Sequence, residues 1–156
     1  MEKKIAIVTG GTGFLGSHWI KSLLLKNFDI ISLTRQERAQ SPLARVTAIL
    51  HNIECPFELL SNVRAIKSDL EENLCGIQGE DLRFLESIGK AAEFYHIAAD
   101  VSYENREKIF KTNLEGVRNV LELIAKIGTK RFHYFGTAYR GDIEGRLMED
   151  YLENGE

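Results

Sequence analysis

The sequence has no apolar stretch approaching the roughly 20 residues that cross a bilayer, so no membrane span is expected. It also has little excess charge, with a formal net charge of −3. Such a balance gives no electrostatic reason to expect nucleic acid or an anionic membrane surface as a partner. Cysteine occurs only at Cys55 and Cys75, in no metal-binding spacing. The two read as reduced thiols, and no metal is expected. There is no internal repeat, low-complexity tract or linker. The opening "MEKKIAIVTG" lacks the apolar segment of a secretory signal, because its short run passes straight into glycine. A cytoplasmic protein is expected. A chain of 156 residues is long enough for one domain with a sizeable core.

Glycine, by contrast, is concentrated. "TGGTGFLG", Thr9 to Gly16, holds four glycines in eight residues. Glycine loses more backbone freedom on folding than any other residue, so the cluster needs a physical reason. The run before it, Lys4 to Thr9, is apolar and β-branched and predicts a buried strand. After it, Leu15, Trp19, Ile20, Leu23 and Leu24 share one helical face. Phe28 to Thr34 predicts a second strand. Ser41 and Pro42 then predict a capped helix start, with Leu43, Val46, Leu50 and Ile53 continuing at helical spacing. Val63 to Lys67 predicts a third strand. Gly79 to Lys90 predicts a short helix with acids in its first turn and Gly89 placed to end it. Glu93 to Ala99 predicts a fourth strand. Phe110, Leu114, Val117, Leu121 and Ile124 then step by helical intervals, with Gly128 as the stop. Arg131 to Thr137 predicts a fifth strand. Strands alternating with helices imply parallel pairing and right-handed crossovers. The expected fold is α/β, a Rossmann-like doubly wound parallel sheet with helices on both faces, whose ligands lie at the carboxyl ends of the strands.

Gly11, Gly13 and Gly16 fit G-x-G-x-x-G between a predicted strand and a predicted helix, the context in which that spacing carries weight. A dinucleotide pyrophosphate can rest there against bare backbone N–H groups at the positive end of a helix. The second strand ends at Thr34-Arg35, where a site for a free ribose commonly has Asp or Glu. A guanidinium suits a 2′-phosphate through charge-assisted hydrogen bonds, which favours NADP (NADPH) over NAD. Arg38 and Arg45 are further candidates for that phosphate. Glu37 is placed either to repel it or to bond a ribose. Asp69, after the third strand, suits either the adenine amino group or a turn. Ala98 and Ala99, after the fourth, are small where ribose and nicotinamide pass, or where the core packs tightly. His96 and His133 lie within predicted strands and read as packed, hydrogen-bonded residues.

On these residues the chain resembles the extended short-chain dehydrogenase/reductase superfamily. Within it the chain is most similar to the NAD(P)-binding part of fatty acyl-CoA and thioester reductases. The glycine turn is shared across the superfamily. The narrower likeness rests on "SLTRQ", "SDLEENLCGIQGEDLRFL", "FYHIAADVSY", "KTNLEGVRNVLELIAK" and "FHYFGTAY". The resemblance implies that Gly10, Thr12, Gly13, Phe14, Leu15 and Gly16 line the pyrophosphate and that Arg35 meets the 2′-phosphate. It implies that Asp69 and Leu70 frame the adenine, and that Ala98 and Ala99 lie along the inner ribose. It further implies that Asn113 bonds backbone near the active site, and that Thr137 is the catalytic hydroxyl that holds the substrate carbonyl. The family often has Ser-Thr where this chain has Gly136-Thr137.

The same resemblance calls for a tyrosine followed four residues later by lysine. Tyr95, Tyr103, Tyr134, Tyr139 and Tyr151 are followed at that distance by Ala99, Glu107, Ala138, Ile143 and Gly155. In the family that motif and the substrate-binding part follow the fifth strand. The expectation is a single NAD(P)-binding domain over residues 1–156, truncated before the motif. The full-length parent would reduce an acyl thioester to aldehyde or alcohol, and this chain alone would be inactive. Two alternatives stand beside it: a fragment of a sugar-nucleotide epimerase or dehydratase, and a non-catalytic NAD(P)-sensing module. Apolar surface left without its second half would also favour self-association.

Overall fold

The computed structural model describes residues 3–37, 40–101 and 106–136. Strands β1 (Lys4–Thr9), β2 (Phe28–Thr34), β3 (Val63–Lys67), β4 (Ala92–His96) and β5 (Arg131–Tyr134) form one sheet in the order β3-β2-β1-β4-β5. Every pairing is parallel. Helices α1 (Phe14–Leu25), α2 (Pro42–Asn52), α3 (Gly79–Ile88) and α5 (Gly116–Ile127) make the crossovers. The last is preceded by a short helix, α4 (Arg106–Phe110), and a π turn, Lys111–Glu115. This is the expected doubly wound α/β architecture.

Side chains alternate between the faces of a strand, and both faces are covered. On one, Ala6, Val8 and Ile30 pack against Ile20, Leu23 and Leu24 of α1 and Val46 and Leu50 of α2. On the other, Ile7, Ile31, Leu33 and Phe94 pack against Leu85 of α3 and Val120, Leu123, Ile124 and Ile127 of α5. Parallel strands covered on both sides are written as continuous apolar runs, as "KIAIVT" and "FDIISLT" are. The Ser41 hydroxyl caps α2 by accepting the Ala44 N–H at 3.2 Å.

Two expectations are corrected. The stripe Phe110, Leu114, Leu121 is not the core face of the long helix: these residues are 54, 57 and 47% exposed. The buried face runs through Thr112, Gly116, Val120, Leu123, Ile124 and Ile127. At Gly116 a Cβ would come within 3.2 Å of the Leu70 Cβ, so the closest contact is made by the smallest residue. Gly89 ends α3 as expected, though without a left-handed turn. Its φ is −54°, and a Cβ there would lie 2.1 Å from the Ile127 carbonyl oxygen. Close approach of the end of α5 excludes a side chain. Gly128 is the left-handed stop expected, with φ 75° and its N–H bonded to the Ile124 carbonyl at 3.0 Å. Leu15, assigned to the core face of α1, and Leu43, assigned to that of α2, are both exposed.

Candidate functional site

The strand order reverses direction between β1 and β4. The loops leaving these two strands therefore diverge and open a crevice at the carboxyl end of the sheet. Gly10 forms its floor. Its φ is +75°, and a Cβ would sit 2.6 Å from the Ala98 nitrogen. Gly16, in the first turn of α1, is pressed onto the glycine turn, where a Cβ would lie 2.1 Å from the Gly10 carbonyl oxygen. A Cβ on Gly11 would meet Ile20 and Ser32 side chains. The fold itself therefore demands glycine at 10 and 16, where the contacts are backbone, while at 11 the ends of two side chains would have to shift.

Gly13 is different. It has ordinary φ and ψ of −83° and 169° and is exposed. Among the described residues a Cβ would meet only the Gly10 oxygen, at 3.4 Å, and none of them forbids a side chain there. Gly13 is also the N-cap of α1, and it offers no side chain to the helix end. No acid lies in the first turn. The Gly13 N–H is taken by the Gly10 carbonyl at 3.0 Å. The N–H groups of Phe14, Leu15 and Gly16, at the positive helix end, are left pointing out of the helix. A bare, uncapped helix terminus in a crevice fits an anionic group such as a pyrophosphate. Phe14 and Leu15, 83 and 49% exposed, stand beside it, and Thr12 is half-buried.

Thr9 ties the two diverging strands together. Its Oγ1 accepts the N–H groups of Ile97 (3.2 Å) and Ala98 (3.3 Å). Its single proton therefore goes to Nδ1 of His96, 2.7 Å away. That assignment places the imidazole proton on Nε2. His96 is 1% exposed, and burial pushes it from its ordinary 6.5 down to about 4, so the ring is neutral near pH 7. His133, expected to be packed, is exposed at 46% instead. It stacks on Tyr95 with ring centroids 4.4 Å apart, and its Nε2 lies 3.4 Å from Glu93.

At the mouth of β2, Arg35 is half-exposed. Its Nη2 lies 3.6 Å from Asp69 Oδ1 and 3.9 Å from Glu71 Oε1. Asp69 also closes a turn, accepting the Glu71 N–H at 3.1 Å. The loop that presents it is strained: Leu74 (φ 49°) and Cys75 (φ 57°) are left-handed without being glycine. That turn brings the Cys75 carbonyl to the Asp69 N–H at 2.9 Å. Leu70 points into the core, so it offers a ligand its backbone and not its side chain. Ala98 is half-buried and Ala99 exposed. The Asn113 carboxamide brackets Asp100, accepting its N–H at 2.7 Å and donating to its carbonyl at 2.8 Å. Arg38 and Thr137 lie outside the described residues, so neither is placed.

Sequence reasoning missed several supports. Thr112 donates to Glu71 at 3.2 Å, and Asn119 donates to the Leu70 carbonyl at 2.7 Å. Arg45, singled out in the sequence for the 2′-phosphate, also donates to the carbonyl of Arg35 and pairs with Glu37 at 3.2 Å, contacts its position in the sequence does not reveal. Lys108 pairs with Asp100 at 3.2 Å. Polar residues on a helix face that points toward a loop are their only sequence signal.

A family model described as male sterility protein, of an NAD-binding family, matches residues 8–156. A nonribosomal peptide synthetase of Aspergillus flavus is 32% identical over 84% of this chain and 13% of its own length. A Drosophila melanogaster protein named for fatty acyl-CoA reductase is 31% identical over 97% of this chain and 29% of its own. The crystal structure of the terminal R domain from the myxalamid biosynthetic pathway superimposes with a TM-score of 0.75 at 23% identity, over 89% of this chain and 36% of that one. It shares the fold. The chain spans only 13 and 14% of the first two curated relatives it matches.

Proposed function

The chain belongs to the male sterility protein family, the NAD(P)-binding reductase domain of acyl and thioester reductases, and on that premise we propose that it is the NADP-binding half of an enzyme reducing an acyl thioester, carried on CoA or a carrier protein, to aldehyde or alcohol. The observation that carries the reading is Gly13. It is a glycine that the fold does not require, at an uncapped helix terminus in the switch-point crevice. A ligand that approaches the backbone gives that glycine a purpose.

The N–H groups of Phe14, Leu15 and Gly16, with the bare backbone of Gly10 and Gly13 and the hydroxyl of Thr12, receive the pyrophosphate. Arg35 receives the 2′-phosphate. Its contacts to Asp69 and Glu71 are longer than hydrogen bonds and half-exposed. Such pairs are worth little, and a phosphate dianion offers the guanidinium a stronger, charge-assisted partner. Asp69 accepts from the adenine amino group, with the Leu70 backbone beside it. Ala98 and Ala99 leave room for the inner ribose, and Asn113 fixes the Asp100 backbone next to them. Thr137 holds the substrate carbonyl oxygen. Bound NADPH supplies the hydride. No tyrosine in the sequence has lysine four residues on, so the proton donor comes from outside these residues, and the chain alone binds cofactor without oxidising it.

Fluorescence titration is expected to give tighter binding of NADPH than NADH, and Arg35→Ala is expected to erase the difference. Equal affinities in the unmutated chain would overturn the role given to Arg35. Acyl-CoA-dependent loss of NADPH absorbance by the chain alone would overturn the assignment of the proton donor.

A further inference from the structure

An acid at the exit of β2 decides between dinucleotides, because a carboxylate there bonds a free ribose and repels a 2′-phosphate. This chain carries such an acid, Glu37, two residues beyond Arg35. Its carboxylate is not free. Arg45 Nη2 lies 3.2 Å from Glu37 Oε1, while Nη1 of the same guanidinium donates to the backbone carbonyl of Arg35. One planar fork thus grips both ends of the segment 35–37.

Arg45 is well placed to hold it. It sits in the first turn of α2, whose start is fixed by the Ser41 cap, and its N–H bonds the Ser41 carbonyl at 3.1 Å. Its side chain is only 15% exposed, so packing restricts the guanidinium. The segment it grips is closed on the far side by the Gln40 N–H on the Glu37 carbonyl at 3.0 Å.

We propose that Arg45 is a positioning residue for cofactor choice: by holding the Glu37 carboxylate and the Arg35 carbonyl, it keeps the acid from the ribose site and leaves the Arg35 guanidinium to the 2′-phosphate. This rests on the NADP reading of Arg35. Its content is separate, because it assigns the preference to an acid held aside as well as to a cation present.

The test is the ratio of NADPH to NADH affinity, by fluorescence titration of the whole chain, in four forms: unmutated, Arg45→Met, Glu37→Gln and the double variant. Arg45→Met keeps the stem and removes the fork. It is expected to lower the ratio about tenfold, the scale of one charge-assisted contact. The double variant is expected to restore most of that loss, since the released acid is gone. Glu37→Gln alone is expected to leave the ratio at or above its unmutated value. Equal weakening of both cofactors by Arg45→Met would show a merely structural residue and overturn the proposal. A lowered ratio that Glu37→Gln does not restore would make Arg45 a phosphate ligand and overturn it also. If Arg45→Met does not fold by circular dichroism, Glu37→Gln decides alone, and a ratio below the unmutated one refutes the proposal. An unmutated chain that prefers NADH would sink the reading of Arg35, yet Arg45→Met would still be expected to shift the ratio further toward NADH.

Discussion

Two glycines of one turn, Gly13 and Gly16, allow binding and folding to be separated by the same single methyl. At Gly16 the added Cβ would lie 2.1 Å from the Gly10 oxygen, 2.7 Å from the Gly10 carbonyl carbon and 3.2 Å from the Gly11 Cα. All three are backbone atoms, so no side-chain rotation relieves the contact. Overpacking of this kind costs about 1–3 kcal/mol, and the greater helix propensity of alanine returns about 1 kcal/mol. The immobile partner places Gly16→Ala in the upper part of that range, a net loss of about 1–2 kcal/mol. For a domain of this size that lowers the Tm by about 2–8 °C. At Gly13 the only neighbour among the described residues is the Gly10 oxygen at 3.4 Å, and φ is −83°. Reduced freedom of the unfolded chain contributes about 0.4–1 kcal/mol, offset by the poorer N-cap preference of alanine. Gly13→Ala should therefore melt within about 2 °C of the unmutated chain. It should still weaken NADPH at least tenfold, because the methyl stands where the phosphate meets the helix end. Thermal melts by circular dichroism and fluorescence titrations on both variants give the four numbers needed. Unweakened NADPH binding by Gly13→Ala would refute the claim that a ligand explains this glycine. A Gly16→Ala melt equal to the unmutated one would refute the packing argument.

Thr9→Val replaces the hydroxyl that serves Ile97, Ala98 and His96 by a methyl. It should cost about 1–3 kcal/mol through buried groups left unpaired, whereas Thr9→Ser should stay near the unmutated Tm; equal melts for Val and Ser would remove the hydroxyl from the account. His96 titrates at about 4 in the fold, against an ordinary 6.5. Between those values the unfolded chain holds more protons, so this group's contribution to stability is complete above 6.5 and is lost as pH falls toward 4. His96→Gln should remove that part of the slope. Curves of Tm against pH that run parallel for the two proteins across this window would show that the histidine is not held neutral by the fold.

The five strands are legible in the sequence because burial on both faces writes them as unbroken β-branched runs. Only their ends shift: β4 occupies Ala92–His96, where 93–99 is expected, because Ile97 and Ala98 turn their N–H groups to Thr9. The glycine turn is legible because its chemistry is local. The buried face of the long helix is not. Apolar periodicity weights large residues, yet this helix turns Thr112, Gly116 and Val120 inward, the first two against Glu71 and Leu70, and leaves Phe110 and Leu114 outside. The acid-cation exchange around Arg35 is illegible for a different reason. Residue types name the charges, but which acid holds which arginine depends on Arg45 crossing ten residues of chain to reach the Arg35 carbonyl.

The helix that defeats periodicity is also the one that organises the crevice, and the two facts have one cause. Loops after β3 and β4 must both be held if adenine and inner ribose are to find fixed partners. Thr112 and Asn119 hold the first, through Glu71 and the Leu70 carbonyl, and Asn113 holds the second, through both polar groups of the Asp100 backbone. Thr112 and Asn113 are adjacent, so in a regular helix they point about 100° apart. Both lie in the π turn Lys111–Glu115. Such turns insert a residue and re-aim side chains, and they concentrate at functional sites. The re-aimed helix spends its first inward-facing positions on small and polar residues that grip loops, which is why Phe110 and Leu114 are found on the outside.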